Sequence, residues 1–553
     1  MLLSSLRLLA SSLVPLAALP GSFASPVALT ARNNAGRPTA QLQNGTVRGV
    51  HLPTFAQDAF LGIPYAQPPV GDLRLRRPQP LEAGFDGGSF EAVEYSAFCW
   101  GIGSDNYGFE QSEDCLTLNV VRPSGTTADD KLPVGLWIYG GGFQQGGTAD
   151  PRYNSSWIIQ RSVEMEKPII FVSVNYRVSS LGFLSSDELR AEGNVNLGLY
   201  DQRLAMQWLQ DNIAAFGGDP EKVTIWGESA GAASVSYQLL GYGLTSTSLF
   251  RGAILESGSP TGRPHAAPET LQPRFEAILN GTDCTNAADV LACVRAAPLE
   301  QFNASASTWT WNPVVDGQLI AEYPSDLFRA GRFVKVPVLI GTNTDEGSGF
   351  GAKNITTDSE LAAAQQAYYP KLTYSSVASL FELYPNDPSQ GCPYNTGDGL
   401  LASGYQDKRS NALTGDLRYV AGRRLMAQKY AAADQAVYSY RFDQPAPNAT
   451  IALGTAHFAE VAYVFSNPLP TQNRLGDRPG DAELAHLMTS QWISFIHDGT
   501  PNNHGVEGAE TWPDYRAEPS NMLYRRQGAH VERDDFRADG IRFITELGWE
   551  LSA

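Results

Sequence analysis

The sequence has few cysteines, few basic residues and, after its first 24 residues, no long apolar segment. Its 553 residues include five cysteines, no two of them spaced as Cys-x-x-Cys. That number is too small for a disulfide-rich scaffold, and the spacing argues against a zinc ribbon. Lys and Arg number 40 against 58 Asp and Glu, a net charge of −18. Because such a surface repels phosphate backbones and anionic membranes, we expect no nucleic-acid partner.

Residues 1–24 predict a secretory signal peptide. Arg7 precedes a short apolar core at 8–19, and Ser22 and Ala24 supply small residues at the positions that signal cleavage requires. We expect cleavage after Ala24. A membrane anchor is disfavoured because the apolar run is short and contains Pro15. The mature protein is therefore predicted to be secreted and extracellular, without stable membrane insertion.

Features behind the signal peptide agree with an oxidising, secreted environment. Six Asn-x-Ser/Thr sequons predict glycosylation, at Asn44, Asn154, Asn280, Asn303, Asn354 and Asn448. In that compartment the cysteines should pair. The short-range choices are Cys99 with Cys115 and Cys284 with Cys293. Cys392 is left over, either buried as a small hydrophobic residue or free.

Short β-rich runs alternate with helical patterns along the chain. The runs lie at 134–139, 169–175, 223–226, 253–256, 338–341 and 437–442. Several are continuously apolar, as strands buried on both faces should be. Apolar residues at helical spacing mark 199–216, 417–432 and 483–497. The alternation predicts an α/β fold whose large, mostly parallel sheet is covered by helices on both faces.

The mature chain, residues 25–553, is expected to form a single domain. No linker rich in Gly, Ser or Pro divides it. Two segments, about 260–335 and about 350–415, are more irregular and helical, and we interpret them as insertions that cap the carboxyl edge of the sheet. The polar stretch from about 505 to 545 is expected to wrap the surface.

The sequence GESAG at 227–231 contains the candidate nucleophile, Ser229. It directly follows the apolar run 223–226 and precedes a helix-compatible run at 232–240. A Gly-x-Ser-x-Gly motif indicates a nucleophile when it forms the turn between a strand and a helix. The glycines permit this crowded turn, which presents the serine hydroxyl. The helix N-terminus beneath it offers N–H groups and a positive dipole to a developing oxyanion.

A glycine-rich loop at 140–142 is the candidate oxyanion hole. It follows the predicted strand that ends at Tyr139, and its three glycines let backbone N–H groups point at a ligand. The N–H groups of Gly141 and Gly142, with that of Ala230 after the nucleophile, match the known layout of an oxyanion hole. A phosphate-binding loop is not supported, since the Gly-Lys-Ser/Thr ending is missing.

With these motifs the chain resembles the type-B carboxylesterases, the family of cholinesterases and fungal lipases. The matching segments are FLGIPY at 60–65, SEDCLTLN at 112–119, GGGF at 140–143, NLGLYDQ at 196–202, FGGDP at 216–220, GESAG at 227–231, GTNTDEG at 341–347 and TWP at 511–513. The resemblance covers about residues 40–515. It implies the α/β-hydrolase fold and a serine carboxylesterase that forms an acyl-enzyme from a small-molecule ester, without a metal or another cofactor.

The base and acid should follow Ser229 in the order acid, then histidine. The histidines after the acid candidates are His457, His486, His497, His504 and His530. His457 lies in a loop beyond the predicted strand 437–442, from which it can reach the nucleophile at the same sheet edge, and the resemblance also selects it. Asp345 and Glu346 are adjacent after the strand 338–341, and their chemistry does not choose between them. The family pattern selects Glu346.

Two other functions stay open. In the fungal lipases of this family, a disulfide-closed loop forms a long amphipathic lid. Here Cys99 and Cys115 enclose 15 residues without an apolar stripe, which favours an esterase for soluble or small esters over a triglyceride lipase. A non-catalytic cholinesterase-like binding protein is the other alternative, but the three predicted triad residues are present. Asp105 stands where cholinesterases carry an aromatic cation-binding residue, which argues against choline esters. The oligomeric state is not predicted.

Overall fold

A mixed sheet of eleven strands organises the computed structural model, which describes residues 36–241, 249–468 and 475–552. The signal peptide predicted at 1–24 lies outside the described residues. By contacts between residues the chain divides after Gly36, and Arg37–Ala553 form one compact unit. Within the described residues, no helix is long and apolar enough to span a bilayer.

The described strands fall into one large and two small sheets. In chain order they are β1 (Thr39–Leu42), β2 (Gly45–Arg48), β3 (Val50–Leu52), β4 (Gln57–Pro64), β5 (Ser89–Glu91), β6 (Phe98–Cys99), β7 (Gln111–Ser112), β8 (Thr117–Pro123), β9 (Leu132–Ile138), β10 (Ile170–Val174), β11 (Gly218–Glu228), β12 (Gly252–Glu256), β13 (Val338–Asn343), β14 (Val437–Phe442), β15 (Ser520–Tyr524) and β16 (His530–Arg533). The large sheet has the order β16-β15-β14-β13-β12-β11-β9-β10-β8-β4-β3. From β15 to β10 all neighbours are parallel, and antiparallel strands complete both edges.

The six strands expected from the sequence are β9 to β14, the centre of this sheet. Every residue of β10, β12 and β13 is buried, which explains why these strands read as continuous apolar runs without polar alternation. The predicted α/β fold with a mostly parallel sheet is confirmed.

The helices follow the strands and cover both faces of the sheet. They are α1 (Ser156–Glu164), α2 (Ser179–Phe183), α3 (Asp187–Ala191), α4 (Leu197–Asn212), α5 (Ala230–Leu240), α6 (Pro268–Gly281), α7 (Val290–Ala296), α8 (Leu299–Ala306), α9 (Pro324–Arg329), α10 (Asp358–Tyr368), α11 (Tyr374–Leu383), α12 (Asp407–Gly415), α13 (Ala421–Ala432), α14 (Val461–Val464), α15 (Asp481–Asp498) and α16 (Ala538–Leu547). The chain reverses its direction across the sheet at β10, so right-handed crossovers place α1 and α4 on opposite faces. The predicted helices correspond to α4, α13 and α15.

The two irregular segments of the sequence contain helices. Helices α6 to α9 lie between β12 and β13, and α10 to α13 lie between β13 and β14. A π-helical turn, Asp416–Val420, joins α12 to α13. Their role as caps of the sheet edge stays a prediction.

The expectation that residues 505–545 wrap the surface is wrong for β15. This strand pairs in parallel with β14 and is buried along its whole length. Its polar residue Asn521 is fully buried and accepts a hydrogen bond from Ser439 Oγ at 2.8 Å. Because its polar residues form hydrogen bonds inside the fold, this buried strand has no continuous apolar run that would predict it from the sequence.

Both short-range cysteine pairs are disulfides in the structure, Cys99–Cys115 and Cys284–Cys293, and Cys392 is buried and free. Of the sequon asparagines, Asn280, Asn354 and Asn448 are exposed. The amide of Asn44 instead donates to Leu81 O and Ala83 O at 2.9 and 2.7 Å. Glycosylation stays a prediction.

Aromatic packing holds the strand that carries the nucleophile turn. Trp226 of β11 lies edge-on to Trp137 of β9, with ring centroids 4.8 Å apart, and is stacked on Phe465 at 4.9 Å. Its indole N–H donates to Glu256 Oε1 at 2.7 Å, as does that of Trp492 at 2.6 Å. The end of β11 is therefore fixed by packing on one side and by hydrogen bonds on the other.

Candidate active site

Four loops meet at the carboxyl edge of the parallel strands. Gly140–142 follow β9, Ser229 follows β11, Glu346 follows β13 and His457 lies in the chain beyond β14. Ligands of open α/β sheets bind at this edge, because successive parallel strands deliver their following loops to one side. The arrangement explains how residues more than 100 positions apart come together.

Ser229 occupies a strained turn between β11 and α5. Its backbone angles are φ 55° and ψ −118°, a conformation that costs a residue with a side chain about 1–3 kcal/mol. The backbone N–H of Ser229 donates to Glu256 O at 2.8 Å, which helps to hold the turn. This geometry is the one that a Gly-x-Ser-x-Gly turn requires to lift its serine from the sheet edge.

The two glycines of this turn are needed because the backbone is crowded. A Cβ on Gly231 would lie 2.0 Å from Ile138 O, and a Cβ on Gly227 would lie 2.5 Å from the carbonyl carbon of Gly231. Any side chain at these positions would separate α5 from the end of β9. The glycines therefore allow the helix N-terminus to approach the sheet edge.

The glycine loop at 140–142 lies directly beside the nucleophile turn. A Cβ on Gly140 would lie 3.0 Å from Ser229 Cβ, and Gly141 and Gly142 have φ of 89° and 67°. In the described part of the chain, the N–H groups of Gly141 and Gly142 donate to no protein acceptor. The N–H of Ala230 is the first of α5 and has no partner within the helix. The three donors are free for a ligand oxygen.

His457 and Glu346 are in direct contact. Nδ1 of His457 lies 2.6 Å from Oε2 of Glu346, whose Oε1 accepts the backbone N–H of Asn343 at 2.8 Å. Nε2 of His457 is buried without a hydrogen-bond partner and lies 3.2 Å from Oε1 of Glu228. Since Glu228 directly precedes Ser229, Nε2 faces the nucleophile turn.

Asp345, the alternative acid, has other partners. Its Oδ2 accepts the backbone N–H of Thr455 at 2.8 Å, and its Oδ1 accepts that of Tyr394 at the same distance. Cys392 Sγ lies 3.6 Å from Oδ1. Burial raises the pKa of Asp345 to about 6, although both N–H groups act to lower it. The structure places Glu346, and not Asp345, against the imidazole.

The remaining candidate histidines lie elsewhere. His486 and His497 belong to α15, where His497 Nδ1 lies 2.6 Å from Asp498 Oδ1 in the last turn. His504 accepts the N–H of Val506 at 3.0 Å, and His530 is exposed on the edge strand β16.

Two buried glutamates under the site were not identified from the sequence. Glu460 accepts hydrogen bonds from Asn343 Nδ2 at 2.7 Å and from Ser257 Oγ at 3.1 Å. Glu256 binds the two indole N–H groups described above. The only local signal is Glu256 itself, a charged residue that ends an otherwise apolar strand.

With Glu228 and Glu346, these residues make a cluster of four carboxyl groups. Burial, with a further contribution from the charge of Glu346, raises the pKa of Glu460 to about 7. Burial and then the charge of Glu460 also raise the pKa of Glu228 well above its usual value. Glu460 and Glu228 therefore keep a proton at higher pH than exposed carboxyl groups do.

The disulfide-closed loop at 99–115 is fastened to the chain just after the glycine loop. Ile102 N–H donates to Gln144 O at 2.7 Å, and Gly146 N–H donates to Asn106 Oδ1 at 2.8 Å. Each element thus donates a backbone N–H to the other. Opening of residues 99–115 would break both hydrogen bonds and leave buried polar groups unpaired.

An arginine also ties this loop to the region of His457. Asp105 Oδ1 lies 3.0 Å from Nη2 of Arg152, whose guanidinium lies 4.9 Å from the ring centroid of Phe458. Asp150 binds the same guanidinium through Nε at 2.8 Å. Asp105, at the position where cholinesterases carry an aromatic residue, therefore forms an ion pair with Arg152 in this protein.

The sheet, the strained serine turn and the histidine–glutamate contact define the class of α/β-hydrolases. The chain belongs to the carboxylesterase family, which it matches over residues 36–540, and it is a carboxylic ester hydrolase.

Named relatives and a solved structure agree with this assignment. The chain is 36% identical to "Secreted lipase 1" of Botryotinia fuckeliana, across 96% of this chain and 98% of that protein. It is 33% identical to "Secreted triacylglycerol lipase LIP1" of Gibberella zeae, across 94% and 92%. The crystal structure of Aspergillus niger EstA superimposes with a TM-score of 0.84 at 31% identity, and covers 94% of this chain and 99% of that one.

Proposed function

We propose that the protein is a secreted carboxylesterase in which Ser229 is the nucleophile, His457 the general base and Glu346 the acid that orients it. The observation that carries the proposal is the 2.6 Å contact between His457 Nδ1 and Glu346 Oε2 beside the strained serine turn. A carboxylate on Nδ1 keeps the proton there and leaves Nε2 to accept the serine proton.

The reaction then runs by acyl transfer. Ser229 Oγ bonds to the ester carbonyl carbon while its proton moves to His457 Nε2. The N–H groups of Gly141, Gly142 and Ala230 stabilise the oxyanion, each by about 3–4 kcal/mol. The alcohol leaves with the proton from Nε2, and a water molecule activated by the same nitrogen hydrolyses the acyl-enzyme.

Small, soluble esters fit this site better than triglycerides. The disulfide-closed loop at 99–115 carries no apolar stripe and is tied by two hydrogen bonds to the chain after the glycine loop, which favours an esterase over a lipase with a mobile lid. A triglyceride lipase is the second candidate, favoured by the names of the two secreted relatives, which also support secretion.

Hydrolysis of p-nitrophenyl esters from acetate to palmitate tests the proposal. We expect a maximum at short chains and no jump in rate when a substrate passes its solubility limit. Ser229→Ala and Glu346→Gln should each lower kcat by at least about 10⁴-fold. We expect a loss of similar size for His457→Gln, whereas the matched control His497→Gln, at a half-buried position in the last turn of α15, should retain wild-type rates.

Other outcomes separate the alternatives. A maximum at long chains that rises sharply above the solubility limit would assign a lipase. Absence of hydrolysis together with absence of fluorophosphonate labelling at Ser229 would contradict an esterase of any kind.

A further inference from the structure

Two arginines line the recess beside the nucleophile. Arg263 lies in the loop after β12, and Arg418 lies in the π-helical turn between α12 and α13. Both line the recess that Ser229 and Tyr419 also line. A substrate bonded to Ser229 is therefore within reach of two positive charges.

The two arginines differ from several of the buried arginines elsewhere in the fold. Arg74, Arg177 and Arg295 each meet a carboxylate at 2.5–2.6 Å. Across the described ranges, neither Arg263 nor Arg418 forms an ion pair with a carboxylate, and the groups that act on the charge of Arg263 are tyrosines.

Arg263 stands next to the glycine loop. Its Nη2 lies 4.0 Å from the point that a Cβ on Gly142 would occupy, and its guanidinium carbon lies 5.8 Å from the ring centroid of Phe143. Arg263 could therefore bind a second group of a substrate whose carbonyl oxygen is bound by the N–H groups of the glycine loop.

Arg418 stands next to the histidine. Its guanidinium lies 3.8 Å from the ring centroid of Tyr368 and 5.9 Å from that of Phe350. The Phe350 and Tyr419 rings lie 5.1 and 4.6 Å from the ring of His457. The positive charge is therefore separated from the imidazole by a single layer of aromatic rings.

The backbone holds the two arginines in one unit. A Cβ on Gly262 would lie 1.8 Å from the carbonyl oxygen of Arg418, so glycine is required for this contact. The hydroxyl of Tyr369 donates to Gly262 O at 3.3 Å. The loop after β12 and the π-helical turn are therefore in direct backbone contact beside Ser229.

Aromatic faces satisfy only part of a guanidinium. Stacking on a ring stabilises the positive charge, but the five N–H donors lie in the guanidinium plane and need acceptors. A carboxylate bound in the recess would accept from both guanidinium groups and relieve their mutual repulsion.

We propose that Arg263 and Arg418 form a subsite for a carboxylate carried by the ester substrate, so that half-esters of dicarboxylic acids and similar anionic esters are preferred. The inference rests on the proposed function, because it names the substrate class of the same site. For an anionic substrate, two cations beside Ser229 would offset part of the repulsion from the acidic protein.

The test compares two substrates that differ by one charge. The mono-p-nitrophenyl ester of glutaric acid carries the carboxylate on the acyl side, and p-nitrophenyl methyl glutarate is its neutral counterpart. A second pair, 3-carboxyphenyl acetate and its methyl ester, carries the charge on the alcohol side. In at least one pair the wild-type protein should show a kcat/KM at least about 10-fold higher for the anion.

Variants assign that preference to the arginines. Arg263→Gln and Arg418→Gln should each lower the anion-to-neutral ratio by at least about 5-fold, and Arg263→Lys should retain part of it. Arg542→Gln, an exposed arginine of α16, removes the same charge and should leave the ratio unchanged. A wild-type ratio at or below one in both pairs, or a ratio unaffected by both Gln variants, would overturn the subsite.

A binding measurement distinguishes failure of the carboxylate subsite from failure of the proposed esterase function. If p-nitrophenyl acetate is hydrolysed by the wild type and not by Ser229→Ala, the esterase stands and the ratios alone decide the subsite. If no ester is hydrolysed, the esterase fails, and calorimetric titration with glutarate decides the subsite instead. We expect glutarate to bind the wild type and Arg542→Gln, and to bind Arg263→Gln at least about 5-fold more weakly. Equal affinity for all three would overturn the inference.

Discussion

Asp345 and Thr455 are joined by two hydrogen bonds that run in opposite directions. The backbone N–H of Asp345 donates to Thr455 O at 3.0 Å, and the N–H of Thr455 donates to Asp345 Oδ2 at 2.8 Å. Glu346 directly follows the first residue, and His457 lies two positions after the second. This pair therefore joins the two segments that carry Glu346 and His457, and we predict that Asp345 is a positioning residue.

Asp345→Asn should lower kcat by about 10- to 100-fold while KM changes by less than about 3-fold. The amide keeps one acceptor but turns an NH₂ group toward either the Thr455 or the Tyr394 N–H, which displaces the loop that carries His457. Steady-state kinetics on a short p-nitrophenyl ester provide the measurement. Asp539→Asn, at an exposed site on α16, is the control. An unchanged kcat would show that the loop keeps its position without the carboxylate.

The stability that depends on Asp345 should vary with pH. Burial raises its pKa from the ordinary value of 3.8 to about 6, so the folded chain binds this proton more tightly than the unfolded chain. The resulting stabilisation, about 3 kcal/mol, is complete below about pH 4 and is lost as the pH rises through 6. Urea unfolding of the wild type and of Asp345→Asn at pH 4 and 7 should show a difference in free energy that is larger at pH 4. A constant difference would contradict the prediction.

Asp534 should be a major stabilising residue outside the site. It is fully buried, binds Arg424 at 2.7 Å, and also binds Arg423. Asp534→Asn leaves two buried guanidinium groups without their charge partner and should cost about 3–5 kcal/mol in urea unfolding. Its exposed neighbour offers a matched control, since Asp535→Asn should change stability by less than about 0.5 kcal/mol. Similar losses for both variants would argue against the buried network.

The same network has a pH dependence of opposite sign. Burial opposes ionisation of Asp534, but the charges of Arg423 and Arg424 outweigh it and lower its pKa. The stabilisation is therefore present above about pH 4 and is lost as the pH falls below that value. Unfolding of the wild type and of Asp534→Asn between pH 2 and 6 should give curves that converge at the acidic end.

Glu460 should contribute to the pH dependence of the rate. Its pKa is raised to about 7 by burial and by Glu346, so it ionises as the pH passes neutrality. We expect the carboxylate then to stabilise an imidazolium that forms on His457 in the transition state. Glu460→Gln should resemble the wild type at pH 6 and have a kcat/KM about 3- to 10-fold lower at pH 8. Glu483→Gln, exposed on α15, is the control, and parallel pH profiles for Glu460→Gln and the wild type would contradict this role.

The centre of the fold and the nucleophile turn are predictable because their signals are local. Apolar runs mark β9 to β14, and GESAG between a strand and a helix marks the turn whose glycines the crowded backbone requires. The edge strands are less predictable. In β15, buried polar residues such as Asn521 find hydrogen-bond partners that the local sequence does not reveal.

The sequence by itself determined the class of fold, the strained serine turn and the glycine loop, since each depends on a few consecutive residues. The tertiary structure decided which of two adjacent acids meets His457, because that contact joins positions 111 residues apart. It also decided which groups surround Arg263 and Arg418. The sequence shows that an arginine is positively charged. Only the packing of the chain determines whether a carboxylate, an aromatic ring or an open recess lies next to its guanidinium.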